Sequence, residues 1–342
     1  MKKIIVFIYI MLFWTSYQSI AGGFKLGLQG QKQLGMGHTG VGFAQDATTL
    51  YFNPAGLSFV SPQLNVGLFA LIPNTSFLDK NTNSISHAVS QVFTPFSAYG
   101  NIKLTKKINF GFGAYTPFGS GLLYPYEWTG RYILHSINLQ TIFLQPTLSY
   151  RISDAFSIGA GFVYGFGHVT LEKDLPIQSA VTNDIAHAKL NGKGSGIGFN
   201  AGAYYKGEKV HLGLTYHSKV VMKVKNGDAI FTNIPISTSS NFPTGNTFNA
   251  SLPLPSEIAA GTSFKISKKT RVALDLNYTF WQSFDSLGFD YKMNTAALSD
   301  AKSPRLYKNA VSVKLGLQHE ATKNMIIRVG GFLIKLPFKM VM

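Results

Sequence analysis

Arg271 to Tyr278 read RVALDLNY, and the run alternates with a period of two. Val272, Leu274, Leu276 and Tyr278 fall on one face of an extended chain; Arg271, Ala273, Asp275 and Asn277 fall on the other. Successive side chains of a strand point to opposite faces, so this is a strand with one apolar side and one small or polar side. The pattern recurs. AVSVKLGLQ sets Val311, Val313, Leu315 and Leu317 against Ser312, Lys314, Gly316 and Gln318. VHLGLTYH sets Val210, Leu212, Leu214 and Tyr216 against His211, Gly213, Thr215 and His217. FSIGAGFVYGFGHV sets Ile158, Ala160, Phe162, Tyr164 and Phe166 against glycine and valine. In a soluble sandwich the apolar face would be the core; in an outer-membrane barrel it faces lipid, and the polar face lines the lumen. Several runs continue for about ten residues or more, the length a tilted membrane strand needs.

Composition supports the barrel. Of 342 residues, 45% are hydrophobic and 13% charged, a charged share about half the usual one. No internal stretch is apolar for long enough to span a bilayer as a helix, so the apolar residues are spread by alternation. Glycine (34), phenylalanine (27) and tyrosine (16) are abundant, as in strands of barrels. The formal net charge of +16 is scattered, with only pairs such as Lys106-Lys107 and Lys268-Lys269 at turns; nucleic-acid binding needs clustering and is not expected. Cysteine is absent, which excludes disulfides and any cysteine-ligated metal. The eight histidines are dispersed, His211 and His217 being too far apart to share a metal. The loose G-x-S-x-G around Ser195 lacks the strand-to-helix setting of a nucleophile. Neither an enzyme, a metal nor a cofactor is expected.

The N-terminus carries Lys2-Lys3, the apolar IIVFIYIMLFW and a small-residue site at Ser19-Ile20-Ala21. This is the pattern of a secretory signal peptide over residues 1–21, and the apolar run is short for a membrane anchor. From Gly22 to Leu57 the chain is irregular, with one short helix expected near Asp46 to Leu50. Alternation then takes over, and about eleven strands can be counted. Short turns (KLTKKIN, YRISDAFS, YKGEKVH, KISKKTR, HEATKNM) join strands in pairs. Long polar connectors, Leu175 to Asn191, Gly227 to Pro255 and Tyr291 to Tyr307, lie between them. Short turns on one side and long loops on the other is the outer-membrane arrangement. The expected organisation is a plug over 22–57 and one barrel over 58–332.

Four segments in order then carry a resemblance. GMGHTGVGFAQDATTLYFNPAGLSF, YTPFGSGLLYPYEWTGRY, LPLPSEIAAGTSFKISKKTRVALDLNYTFWQSFD and KNAVSVKLGLQHEATKNMIIRVGGF resemble the FadL-type outer-membrane transporters of long-chain fatty acids and aromatic hydrocarbons. The resemblance covers nearly everything after Ala21. It implies an all-β, antiparallel barrel of roughly fourteen strands, plugged by an N-terminal hatch. It also implies uptake of a hydrophobic small molecule from outside, binding in apolar pockets, and sideways release through a gap at a kinked third strand. The hatch ends at Asn53-Pro54-Ala55, a turn whose proline fixes φ and whose asparagine can bond its own turn. By the resemblance this motif abuts the gap. The third strand, NFGFGAYTPFGSG, holds Gly111, Gly113, Pro117 and Gly119, all poor strand residues suited to a kink. The aromatics Tyr124, Tyr126, Trp128 and Tyr132 are explained as an interfacial girdle. Arg131 is a candidate contact for a carboxylate head group or lipid phosphate, with internal pairing to Glu127 as the simpler account.

Expected partners are outer-membrane lipid, lipopolysaccharide, the hydrophobic substrate and the barrel-assembly machinery, with the protein a monomer in the outer membrane of a Gram-negative cell. A general diffusion porin or a purely structural barrel is the alternative. After IIRVGGF the resemblance stops. Residues 333–342, LIKLPFKMVM, can be encoded by bases that in another frame read Asp-Lys-Thr-Pro-Ile-Gln-Asp-Gly-Tyr, so a frameshift near Phe332 is expected to have replaced further strands.

Overall fold

A computed structural model describes residues 23–178 and 184–335. The signal peptide expected over 1–21 and most of the tail expected over 333–342 lie outside the described residues. The strands are β1 (Gln63–Leu68), β2 (Ser76–Asp79), β3 (Ser84–His87), β4 (Phe96–Lys103), β5 (Ile108–Tyr115), β6 (Gly119–Leu123), β7 (Ser136–Arg151), β8 (Phe156–Gln178), β9 (Ile185–Lys206) and β10 (Val210–His217). They continue as β11 (Val220–Thr232), β12 (Asn246–Leu254), β13 (Glu257–Lys265), β14 (Thr270–Thr279), β15 (Ser286–Tyr291), β16 (Ala301–Pro304), β17 (Ala310–Glu320) and β18 (Ile326–Ile334). Among the described residues, sixteen form one sheet with the path β1-β4-β5-β7-β8-β9-β10-β13-β14-β17-β18. Every neighbouring pair is antiparallel. That path of eleven strands is the wall, against a count of about eleven from the alternation.

The faces fall as the residues dictate. Leu274, Leu276 and Tyr278 of β14 are exposed, while Ala273, Asp275 and Asn277 are buried. Leu212, Leu214 and Tyr216 of β10 point outward; His211 and Thr215 are buried. The apolar rows therefore clothe the outside, the inverse of a soluble sandwich.

What fills the inside is residues 23–60. Two single helical turns, Gln31–Leu34 and Thr49–Phe52, and a 3-10 turn, Pro54–Phe59, carry buried Gln33, Leu50 and Leu57. Irregular backbone at membrane depth persists only where its polar groups find partners in the protein. The inward polar residues of the wall supply them. Asp275 accepts from the amides of Gly40 and Val41 at 2.7 and 2.9 Å. Gln145 and Asn200 both donate to the Leu50 carbonyl, at 2.9 and 3.0 Å. Asn109 donates to the carbonyl of Leu57 at 2.5 Å.

Two readings are corrected. The helix expected near Asp46–Leu50 is a single turn at Thr49–Phe52. Two of the long connectors are about half strand or more: β8 and β9 run far into Leu175–Asn191, and β11 and β12 into Gly227–Pro255, while Tyr291–Tyr307 holds only the short β16 and the end of β15. Above the membrane both strand faces can be polar, so the period-two signal vanishes there although the ladder continues. The edges β1 and β18 are not paired with each other among the described residues. The same stretch of plug touches both: Gln31 donates to the Val66 carbonyl of β1, and Gly35 packs on Arg328 of β18.

Candidate functional site

Asn53 is fully buried at the end of the plug. Its Nδ2 donates to the carbonyls of Val41 (3.2 Å) and Ala203 on β9 (3.0 Å), and its Oδ1 accepts from the amide of Ala55 at 3.1 Å. The Ala55 carbonyl in turn accepts from the hydroxyls of Ser149 and Ser157, at 3.0 and 2.7 Å. The turn thus bolts the plug to β7, β8 and β9. Gly159 makes the approach possible: a Cβ there would lie 2.6 Å from Pro54 and Ala55 backbone atoms. This is where the motif differs from the expectation, since the broken strand lies elsewhere and other plug residues abut it.

The third wall strand breaks between β5 and β6. Tyr115 faces Phe143 of β7, and Gly119 faces Gln140, so three residues oppose two. Such a bulge bends the strand. On its other side β5 leaves β4 after Ser97–Tyr115, and among the described residues β6 pairs with no wall strand there. Pro117 sits in the break with no N–H to satisfy. Its carbonyl accepts from Leu26 at 2.8 Å, and the amide of Gly119 donates to Phe24 at 3.0 Å. The N-terminal arm 24–26 therefore lines the inner side of the break as a short added strand.

Gly111 and Gly113, by contrast, are not part of the kink. Both sit in an unbroken ladder between β4 and β7. Their missing side chains make room for Leu50 and Leu57 of the plug, which is why glycine stands in a regular strand. Arg131 lies outside the wall, 3.8 Å from Asp174 of β8 and stacked over Tyr132; its partner is not Glu127. Nor do Tyr124 and Trp128 form a girdle. They are buried and stacked on each other at 3.8 Å in the outer segment.

Two cavities meet at the break. The first, about 450 Å³, lies in the lumen and is walled by apolar side chains such as Leu139, Leu171, Met222, Val224, Phe284 and Leu287. The second, about 470 Å³, opens between Thr94–Phe96 and Leu139–Ile142, across the gap left by β6. Gly119, Ser120, Leu139 and Thr141 line both. The Phe93 ring lies directly on Gly121 in the opening. A third, polar cavity of about 220 Å³ holds Lys25, His38, His217, Glu257 and Lys314. There Lys25 pairs with Glu257 at 2.5 Å, and Glu257 also accepts from Asn277 and Thr279 at 2.9 and 2.8 Å. Burial pushes the imidazole of His38, on the plug, well below its ordinary proton affinity. Among the described residues no group of histidines and carboxylates could hold a metal.

The model of the outer membrane protein transport protein family (OMPP1/FadL/TodX) matches residues 12–332. The chain belongs to that family. It is an outer-membrane transport protein. The long-chain fatty acid transport protein of Salmonella typhi is 25% identical over 344 residues, covering 92% of this chain and 78% of that one. A FadL homologue of Pseudomonas aeruginosa has the same fold, with a TM-score of 0.76 at 17% identity over 93% of this chain and 82% of that one. So has the toluene transporter TbuX of Ralstonia pickettii, at 0.71 and 16% identity over 90% and 86%. The arm 24–26 and Phe93 were not singled out as site residues in the sequence. No local pattern marks them, because their roles come from contacts across the barrel.

Proposed function

We propose that the protein takes up hydrophobic compounds, long-chain fatty acids or aromatic hydrocarbons, and releases them sideways into the outer membrane. The observation that carries this is the apolar luminal cavity sharing four wall residues with an opening through the barrel side. Its volume is within the range of small-molecule sites, roughly 300–1,000 Å³. Each buried methylene contributes about 0.8 kcal/mol, so an acyl chain is held on apolar walls and would be driven back from a watery pore. A diffusion porin fits less well, because residues 23–60 pack the lumen as a core. A catalytic role has no constellation to support it, and the family is one of transporters. Gly119 and Pro117 would form the lateral gate with the arm 24–26, and Asn53-Pro54-Ala55 the plug anchor. Lipopolysaccharide, the barrel-assembly machinery and a monomeric state belong to the same reading. The test is uptake of labelled oleate and of labelled toluene by cells lacking their own transporter. Expression of this chain should raise the initial rate of at least one; no increase for either would overturn the proposal.

A further inference from the structure

The wall is broken a second time, six strands further along the path. Below this break Glu257 of β13 faces Thr279 of β14; above it Ala250 of β12 faces Phe289 of β15. The six residues 251–256 on one bank thus oppose the nine residues 280–288 on the other. The amide of Phe280 donates to Ser256 at 2.9 Å, and among the described residues pairing then stops until Ala250–Phe289. The other side of β12 stays in register with β11 as far as Leu254, so one side alone is open. The extra residues turn inward, where Trp281 and Phe284 are buried around Phe24 at ring distances of 5.2 and 5.5 Å.

Outside the break lies a groove of about 610 Å³ between Ser251 and Pro253 on one bank and Ser283, Ser286 and Gly288 on the other. Ala250, Ser251 and Phe289 line both this groove and the apolar luminal cavity. One layer of residues separates them. The level of the break is also defined. Exposed Tyr216 and Tyr278 end the apolar rows of β10 and β14 just beneath it, as aromatic residues do at a membrane interface. Open backbone is not tolerated in hydrocarbon but is tolerated where hydroxyls, water or head groups reach it, and this bank is rich in serine, with a proline that has no N–H. The rim carries Lys219 and Lys302 against Asp285, Asp290 and Asp300, one negative charge in excess, which disfavours carboxylates.

We infer that this second break is a side entrance at head-group level, through which uncharged apolar compounds dissolved in the outer leaflet reach the luminal cavity. It rests on the uptake proposed above. Because the chain has no cysteine, single thiols can be placed without background. Ser251→Cys and Ser286→Cys stand on the two banks. Ser195→Cys is the control, on β9 and paired on both sides, with Phe166 and Lys223. Cells expressing each are treated with a membrane-impermeant polyethylene-glycol maleimide, and uptake of the neutral fluorophore phenylnaphthylamine is followed. The adducts at 251 and 286 should slow uptake severalfold and the adduct at 195 should not. Complete labelling at 251 and 286 with unchanged uptake would overturn the entrance. If the unlabelled chain takes up no more than cells without it, the transport reading falls instead. The alkylation rate of Ser251→Cys then decides the site: saturating phenylnaphthylamine should slow it, and an unchanged rate refutes access from the groove to the cavity.

Discussion

Replacing Asn53 separates an anchor from a mere turn. The side chain makes three buried hydrogen bonds, two donated by Nδ2 and one accepted by Oδ1. At about 1 kcal/mol each, Asn53→Ala should loosen the plug by roughly 3 kcal/mol, which is on the order of a hundredfold in the population of the opened plug. Asn53→Asp is the sharper variant. Aspartate is as good as asparagine in a turn and can still accept from Ala55. It cannot donate, and it sets a carboxylate oxygen against the carbonyls of Val41 and Ala203. The anchor account therefore ranks wild type above alanine and alanine above aspartate. Hydrogen exchange at the amides of 53–57 in the purified, membrane-embedded protein reads the ranking directly. Aspartate exchanging like wild type would refute the reasoning, because only a local turn would then be at work.

Gly159→Val should expel the plug locally, since a Cβ there would stand 2.6 Å from the backbone of Pro54 and Ala55; single-channel conductance should rise from near zero, and a silent trace would contradict it. Phe93→Ala removes the ring that covers Gly121 in the side opening; release of bound hydrophobic probe should quicken while its equilibrium binding in the lumen changes little, as stopped-flow fluorescence can tell. Lys25→Met leaves Glu257 without its cation partner. Breaking a largely buried pair in this way costs about 3 kcal/mol or somewhat more, so protease should cut the N-terminal arm faster, and adding Glu257→Gln should restore much of the protection. His38 is held neutral by burial, and the nearby Lys314 opposes its protonation further. An opened plug regains the ordinary value near 6.5, so as pH falls through about 6.5 it takes up a proton that the closed plug refuses, and closure weakens by up to ~1.4 kcal/mol per pH unit. Exchange in the plug should rise on acidification, and His38→Gln should flatten that slope.

The wall was legible because lipid imposes a strict rule. Leu274, Leu276 and Tyr278 must face out, and the period-two pattern cannot be blurred without placing Asp275 in hydrocarbon. The outer parts of β8, β9, β11 and β12 escaped notice since water accepts either face, and polar residues there look like loop. Within the site, Asn53 announced itself through its turn with Pro54. Gly111 and Gly113 misled. Glycine in a strand signals either a bend or a close neighbour, and only the packing of Leu50 and Leu57 shows that the second applies. The arm 24–26 could not be read at all, because its partners, Pro117 and Glu257, are distant in sequence.

That arm also explains how ligand binding could drive release. Gly23 and Phe24 line the luminal cavity, Leu26 lines the side opening, and Lys25 and Gly27 line the polar cavity. A ligand that needs the space of Phe24 must shift a segment held to the broken strand by two backbone hydrogen bonds, Leu26 to Pro117 and Gly119 to Phe24. Those bonds contribute about 2 kcal/mol together. Burying roughly three methylenes offsets that, so an acyl chain has ample free energy to displace the arm, whereas water and small polar solutes have none. The Lys25–Glu257 pair raises the threshold further. On this arithmetic an apolar guest supplies enough free energy to shift the arm 24–26 without an external energy source, while the rest of the plug keeps its own hydrogen bonds to the wall.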